Sequence, residues 1–147
     1  MKYIAILGLV GLAACVQPAS LTPISNPGVP PMSCVVADFT SNTGDARFNS
    51  GNRAKTFEIR STANGFIVDA SSDVFTDSTT DFAVVTVTTR QITAIRRGQR
   101  ANDTLNFSLV VDRTAPNGLR RVVQTMRVNN PDRPAGYSQN QWTLSCR

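Results

Sequence analysis

Between Cys34 and Cys146 the apolar residues recur at every second position in short runs, and no segment sustains a helical apolar face. A chain with that period makes strands, each with one face for a core. Phe57 and Ile59 alternate with Thr56, Glu58 and Arg60. Asn64-Gly65 then offers the two positive-φ positions of a type I′ hairpin turn, and Phe66, Val68 and Ala70 return. The β-rich run from Phe82 to Arg97 reads as two strands with a turn near Thr89-Arg90. Leu105, Phe107, Leu109 and Val111 alternate with Asn106, Ser108 and Asp112, with Val110 the exception. Ala115-Pro116-Asn117-Gly118 supplies the next turn, and Leu119 to Val128 returns. Asn129 to Gly136, with Pro131 and Pro134, reads as a loop. Trp142, Leu144 and Cys146 then alternate with Gln141, Thr143 and Ser145.

About eight strands follow from this reading, each with one core face, which argues for antiparallel pairing. An open sheet of that size leaves edges that invite aggregation, so it curls or closes. The expected fold is all-β, a small antiparallel barrel, closed or nearly closed; a β-sandwich is the alternative.

The first residues are patterned differently. Lys2 gives a positive start and Tyr3 to Leu12 an apolar run. That run suits a signal-peptide core, whereas a spanning helix needs ~20 apolar residues. Leu12-Ala13-Ala14-Cys15 resembles the lipobox of bacterial lipoproteins. The resemblance implies diacylglycerol on the Cys15 thiol, removal of residues 1–14, and acylation of the new amino group. Two or three chains, at ~0.8 kcal/mol per buried CH₂, hold firmly where one is marginal. Val16 departs from the Asp that tends to retain such proteins at the inner membrane, which implies the outer membrane.

With Cys15 lipidated, two of the three cysteines remain, Cys34 and Cys146. Export to an oxidising compartment makes them a disulfide pair. That bond would bring the first and last strands together, as barrel closure requires. A loop of this length is worth ~4–5 kcal/mol in a chain-entropy model. A metal site is not expected: there is no histidine, and two thiolates are too few ligands for zinc.

Residues 15–33 read as the lipidated cysteine and a tether, ahead of a β domain at residues 34–147. Val16 to Ser33 has no charge and carries Pro18, Pro23, Pro27, Pro30 and Pro31. Such a stretch buries little apolar area, and in polyproline II form it spans roughly 50 Å at ~3.1 Å per residue. From Cys15 onward the chain carries thirteen Arg and one Lys against ten acids. That mild excess favours anionic partners such as lipopolysaccharide or lipid headgroups, and is no nucleic-acid signature.

Catalytic chemistry is poorly supplied. Without histidine there is no Ser-His or Cys-His pair, and Ser50 stands five residues before Lys55, not at Ser-x-x-Lys spacing. Ser50-Gly51-Asn52 reads as a plain turn. Asp69, Asp73, Asp77 and Asp81 recur every four residues but lack the ligand pattern of a calcium loop, and read as Asx-turns around a polar loop. Arg96, Arg97 and Arg100 cluster at one expected loop, and Arg120-Arg121 opens a strand. Adjacent strand residues face opposite ways, so at most one of each pair serves a given patch, and solvated surface is the reading adopted. Trp142 is expected in the core.

Lipobox, proline tether and disulfide-closed β domain together resemble the envelope lipoproteins that include the membrane-bound c-type lysozyme inhibitors. The likeness is architectural; their Ser-Gly and Lys-Gly segments have no counterpart in context, and no inhibitory residue carries over. The expected role is a membrane-anchored, non-catalytic binding or interaction module without a cofactor. Its expected partners are the membrane, through lipid on Cys15, and an envelope protein or anionic polymer, not nucleic acid. The alternative is a lipocalin-like carrier of a small apolar ligand, with Phe57, Phe66 and Phe107 lining its pocket. The Gly-x-Trp motif of lipocalins is absent, and Phe57, Phe66, Phe82, Phe107 and Trp142 are bulky enough to fill an eight-strand interior.

Overall fold

A computed structural model describes residues 23–42, 44–71, 74, 81–100, 102–114, 119–127 and 136–147. Cys15, the lipobox, Asp73, Asp77 and the turn expected at 115–118 lie outside them, as does most of the loop expected at 129–136. The strands are β1 (Met32–Ser41), β2 (Thr56–Ser61), β3 (Gly65–Ala70), β4 (Asp81–Val87), β5 (Gln91–Arg100), β6 (Asp103–Asp112), β7 (Leu119–Arg127) and β8 (Tyr137–Cys146). Each pairs antiparallel with the next, and β8 returns to β1, so the sheet is a closed up-and-down barrel. The β-sandwich alternative falls: a sandwich keeps open edges, and here every strand has two neighbours.

The alternation seen in the sequence becomes an inside and an outside. Phe57, Ile59, Phe66, Val68, Phe82, Ile92, Leu105, Leu109, Val111, Val122 and Leu144 are buried in one core. Trp142 packs between Phe39 and Phe57, with ring centroids at 5.2 and 6.2 Å. Phe82 meets Phe107 edge-on at 6.5 Å. Burying a side chain of this size stabilises by about 1.5–3 kcal/mol, an upper figure because the unfolded chain is itself partly compact. Register shifts in β1 after Val36 and in β4 after Val84 mark bulges, which sharpen strand twist and help a sheet to close.

Cys34 and Cys146 are bonded, and they face each other across the β1–β8 ladder. The strand directions put this bond near one end of the barrel, with residues 23–31 and the β2–β3, β4–β5 and β6–β7 connections. That is the tether end. The other connections lie at the opposite, helix end.

Two local readings need correction. Ser50-Gly51-Asn52 is not a plain turn but part of a helix, α1 (Ala46–Arg53). Asp45 caps it by accepting the Phe48 N–H at 2.8 Å, the buried Asn52 side chain donates to the Phe48 carbonyl, and the Phe48 ring packs on Phe39 at 6.0 Å. Asn64-Gly65 is not the centre of a type I′ turn either. The Thr62 N–H bonds the Gly65 carbonyl, so the two loop residues are Ala63 and Asn64. Gly65 lies in β3, and a Cβ there would stand 2.0 Å from the Phe82 carbonyl oxygen. Glycine is required by the closeness of β4, not by φ. The turn at Thr89-Arg90 forms as expected, closed by the Thr88 N–H on the Gln91 carbonyl.

The docked chain begins ahead of the expected domain start at residue 34. Met32 is buried in β1, and residues 26–29 run along the β2–β3 hairpin. Asn26 bonds the carbonyls of Ala63 and Gly65 through its backbone and side-chain nitrogens. The Ser61 hydroxyl accepts from the Val29 N–H and donates to the Val29 carbonyl, both at 2.9 Å. Gly28 supplies the left-handed residue between them, at φ +78°. A segment without ladder partners thus satisfies its backbone through two small polar side chains.

Candidate functional site

The barrel interior is occupied by its own side chains. Phe57, Phe66 and Phe107, the residues that would line a carrier's pocket, are at most 2% exposed and belong to the core.

The paired arginines split as strand geometry requires, and the split corrects the solvated reading for half of them. Arg97 and Arg121 point outward, while Arg96 and Arg120 point inward and are 4% and 2% exposed. The Arg96 guanidinium carbon lies 5.2 Å from the centre of the Phe107 ring, a cation–π arrangement. Burial lowers the pKa of both groups from the ordinary value; at Arg120 nearby Asp112 acts the other way. The side chain of Arg100 is outside the described residues. The cue was the period itself: Arg96 continues the inward face of Ile92 and Ala94, although arginine by type counts as an outward residue.

The aspartate series is not assembled by the part of it that can be placed. Asp69 is bound by Arg60 at 2.6 Å across the β2–β3 hairpin, and Asp81 stands exposed opposite Ile67. Among the described residues no three of His, Cys, Asp and Glu are placed to hold a metal ion. Also among them, no helix is long and apolar enough to cross a membrane.

What the fold brings together is charge. Strands β1 to β4 carry Asp38, Glu58, Asp69 and Asp81 against the single base Arg60, which Asp69 already holds. Strands β5 to β8 carry six arginines against Asp103 and Asp112; Arg97, Arg121 and Arg127 face outward, while Arg96 and Arg120 are buried. Because an up-and-down barrel keeps sequence order around its circumference, this becomes an acidic half-wall and a basic one. Asp103 is buried, so Asp112 is the one carboxylate on the basic wall's described outer face, and it already accepts the Thr114 N–H and hydroxyl, both at 2.7 Å.

The outer face of β5 to β8 is laid out in register rows. Thr93, Val110, Arg121 and Thr143 form one, and Ile95, Ser108, Val123 and Gln141 the next. Arg97, Asn106, Thr125 and Gln139 follow, then Thr104, Arg127 and Tyr137. Among the described residues, concavities open on this wall and at its border with β4. One of about 700 Å³ is at the tether end and is lined by Arg90, Asp112, Arg121, Gln141 and Thr143 among others. One of about 200 Å³ has Arg97, Asn106 and Thr125 on its rim, and one of about 400 Å³ lies between Arg97 and Asp81. Guanidinium groups fork onto carboxylate or phosphate, and the surrounding hydroxyls and amides suit a hydroxylated neighbour. The sequence signal for this wall was available as a bias: seven of the ten acids lie before residue 82 and ten of the thirteen arginines after residue 89.

No family model matches the chain, and neither does any characterised protein or solved structure.

Proposed function

We propose that this chain is a membrane-anchored lipoprotein of the bacterial envelope, held at the outer membrane by lipid on Cys15, whose barrel is a non-catalytic interaction module for an anionic partner. The observation that carries the reading is the segregation of charge on a closed barrel whose core is packed with its own side chains. A surface with one sign of charge steers oppositely charged partners to itself and repels its like. An acidic envelope polymer meets guanidinium groups at three levels of the β5–β8 wall, at Arg121, Arg97 and Arg127, with hydroxyl and amide side chains between them. Carriage of a small apolar ligand is less supported, because the aromatic side chains it would need as lining are committed to the core.

The test has two arms. Labelled palmitate is incorporated by the wild-type precursor and not by Cys15→Ser; label on the mutant overturns the lipoprotein assignment. The mature chain is then titrated with lipopolysaccharide or a carboxylated polysaccharide at low ionic strength. Binding is expected to weaken as salt passes ~0.15 M, where the screening length is ~8 Å. Arg97→Gln with Arg127→Gln is expected to weaken it further. Binding that ignores both salt and these substitutions removes the wall from the account.

A further inference from the structure

We infer that the concavity around Arg90 and Arg121 seats the barrel on the membrane that carries its own anchor, taking the phosphate of anionic lipid headgroups. The inference rests on the lipoprotein reading of Cys15 and names the partner of one part of the basic wall.

Three observations meet at the tether end. The first is the path of the chain. Asn26 and Val29 are bonded to the β2–β3 hairpin, so the anchored segment enters at this end and only residues 15–25 are left between lipid and barrel. That stretch reaches about 35 Å when fully extended. A short link holds the end of the barrel near the headgroups at an effective concentration in the millimolar range, where a weak site suffices.

The second observation is the chemistry of the concavity. Arg90, in the β4–β5 turn, and Arg121, near the start of β7, line it together with the neutral polar side chains Gln141 and Thr143. Asp112, its one described acid, is occupied by Thr114. Arg90 and Arg121 stand on either side of β6, with the neutral donors Gln141 and Thr143 beside Arg121 on β8, and guanidinium forks with such donors alongside suit a phosphate that bears further oxygens.

The third is the surroundings. The β2–β3 turn, Thr62 to Asn64, carries no charge, so the side of this end where the chain enters does not repel an anionic surface. The barrel end is thus tied by lipid on one side and offers arginines on the other. A lipid chain supplemented by basic residues near the surface is a known physical route to firm attachment.

The experiment uses the mature chain, residues 15–147, carrying Cys15→Ser so that no acyl chain contributes. Co-sedimentation is measured with vesicles of phosphatidylcholine alone and of phosphatidylcholine with about 30% phosphatidylglycerol, at low ionic strength. Binding to the anionic vesicles and not to the neutral ones is expected. Arg90→Gln with Arg121→Gln should lower the partition coefficient about 30-fold, at roughly fivefold per basic side chain near such a surface. Arg47→Gln with Arg53→Gln, on α1 at the other end, removes the same charge and should leave partition within about twofold. Equal loss from both pairs would make the effect one of net charge and overturn the inference. So would binding to soluble polyphosphate or lipopolysaccharide with none to vesicles, which leaves the wider proposal standing. Binding to none of these overturns both.

Discussion

Two glycines make opposite predictions, and the contrast tests the packing account of the β3–β4 contact. At Gly65 an added methyl would meet the Phe82 carbonyl oxygen at 2.0 Å, so β3 and β4 must part by about 1 Å before the contact clears 3.0 Å. The β3–β4 ladder has little to spare, with three register pairs, Gly65↔Ala83, Phe66↔Phe82 and Ile67↔Asp81. Separation strains the bond from the Val84 N–H to the Asn64 carbonyl, and the Asn26 clamp on the Gly65 carbonyl. Overpacking costs about 1–3 kcal/mol and each weakened hydrogen bond up to ~1. The unfolded chain's lost entropy returns ~0.4–1 kcal/mol. Gly65→Ala is therefore expected to destabilise by about 2–3 kcal/mol. At Gly51, inside α1, an added methyl meets nothing within 4 Å, so Gly51→Ala should stabilise by about 0.5–1 kcal/mol. Trp142, the one tryptophan, is buried and reports unfolding by fluorescence in urea. With a slope of ~1–3 kcal/mol per molar urea, the two midpoints should differ by at least ~1 M. A Gly65→Ala midpoint at or above wild type would refute the close-approach argument.

Four further outcomes are expected. Reduction of the Cys34–Cys146 bond, which links residues 112 apart, should cost up to ~4–5 kcal/mol, read as a fall in the urea midpoint under a phosphine reductant; no fall would mean that the bond constrains nothing in the unfolded chain. Without reductant, denatured mature protein should show no alkylatable thiol at either position. Asp45→Ala should cost about 1 kcal/mol and raise hydrogen exchange in α1 while sparing the β-ladders; uniform exchange changes would contradict a local cap. Native mass spectrometry of the mature chain should show no stoichiometric lipid adduct inside the barrel, and a single adduct lost on mild activation would favour the carrier.

The barrel was legible in the sequence because a strand of an antiparallel sheet writes its burial at every second residue. Phe57 and Ile59, or Leu105 through Val111, allow no other inward set. Closure was legible because Cys34 lies near the start of the first strand and Cys146 ends the last. What the period did not reveal has local physical causes. The segment Ala46–Arg53 contains Ser50, Gly51 and two asparagines, all weak helix formers, and is held by one cap and the Phe48–Phe39 contact across the fold. The reason for glycine at position 65 lies in β4, at Phe82, seventeen residues on in sequence. Arg96 and Arg120 sit in inward register, where the alternation expects an apolar residue, and the long guanidinium side chain accommodates burial by packing its stem. The docking of residues 26–29 depends on Ser61, a strand residue that no tether composition would suggest.

Seven of the eight ladders join strands that follow one another in the chain, and each can zip as soon as its hairpin exists. The eighth, β8 onto β1, joins the last strand made to the first. Until β8 is available the molecule is an open sheet with two raw edges, β1 and β7, in the form most prone to pair with another copy. Loop-closure entropy must be overcome before that final ladder gives anything back, so barrel completion should be the late step of folding. During the same interval Cys34 has no partner in the native fold. A chain that stops short of residue 146 therefore keeps an exposed reactive thiol, and thiol chemistry can distinguish it from a finished one. The bond between Cys34 and Cys146 acts as a record of completeness: it forms in the native register only when every strand between the two cysteines has been made and placed.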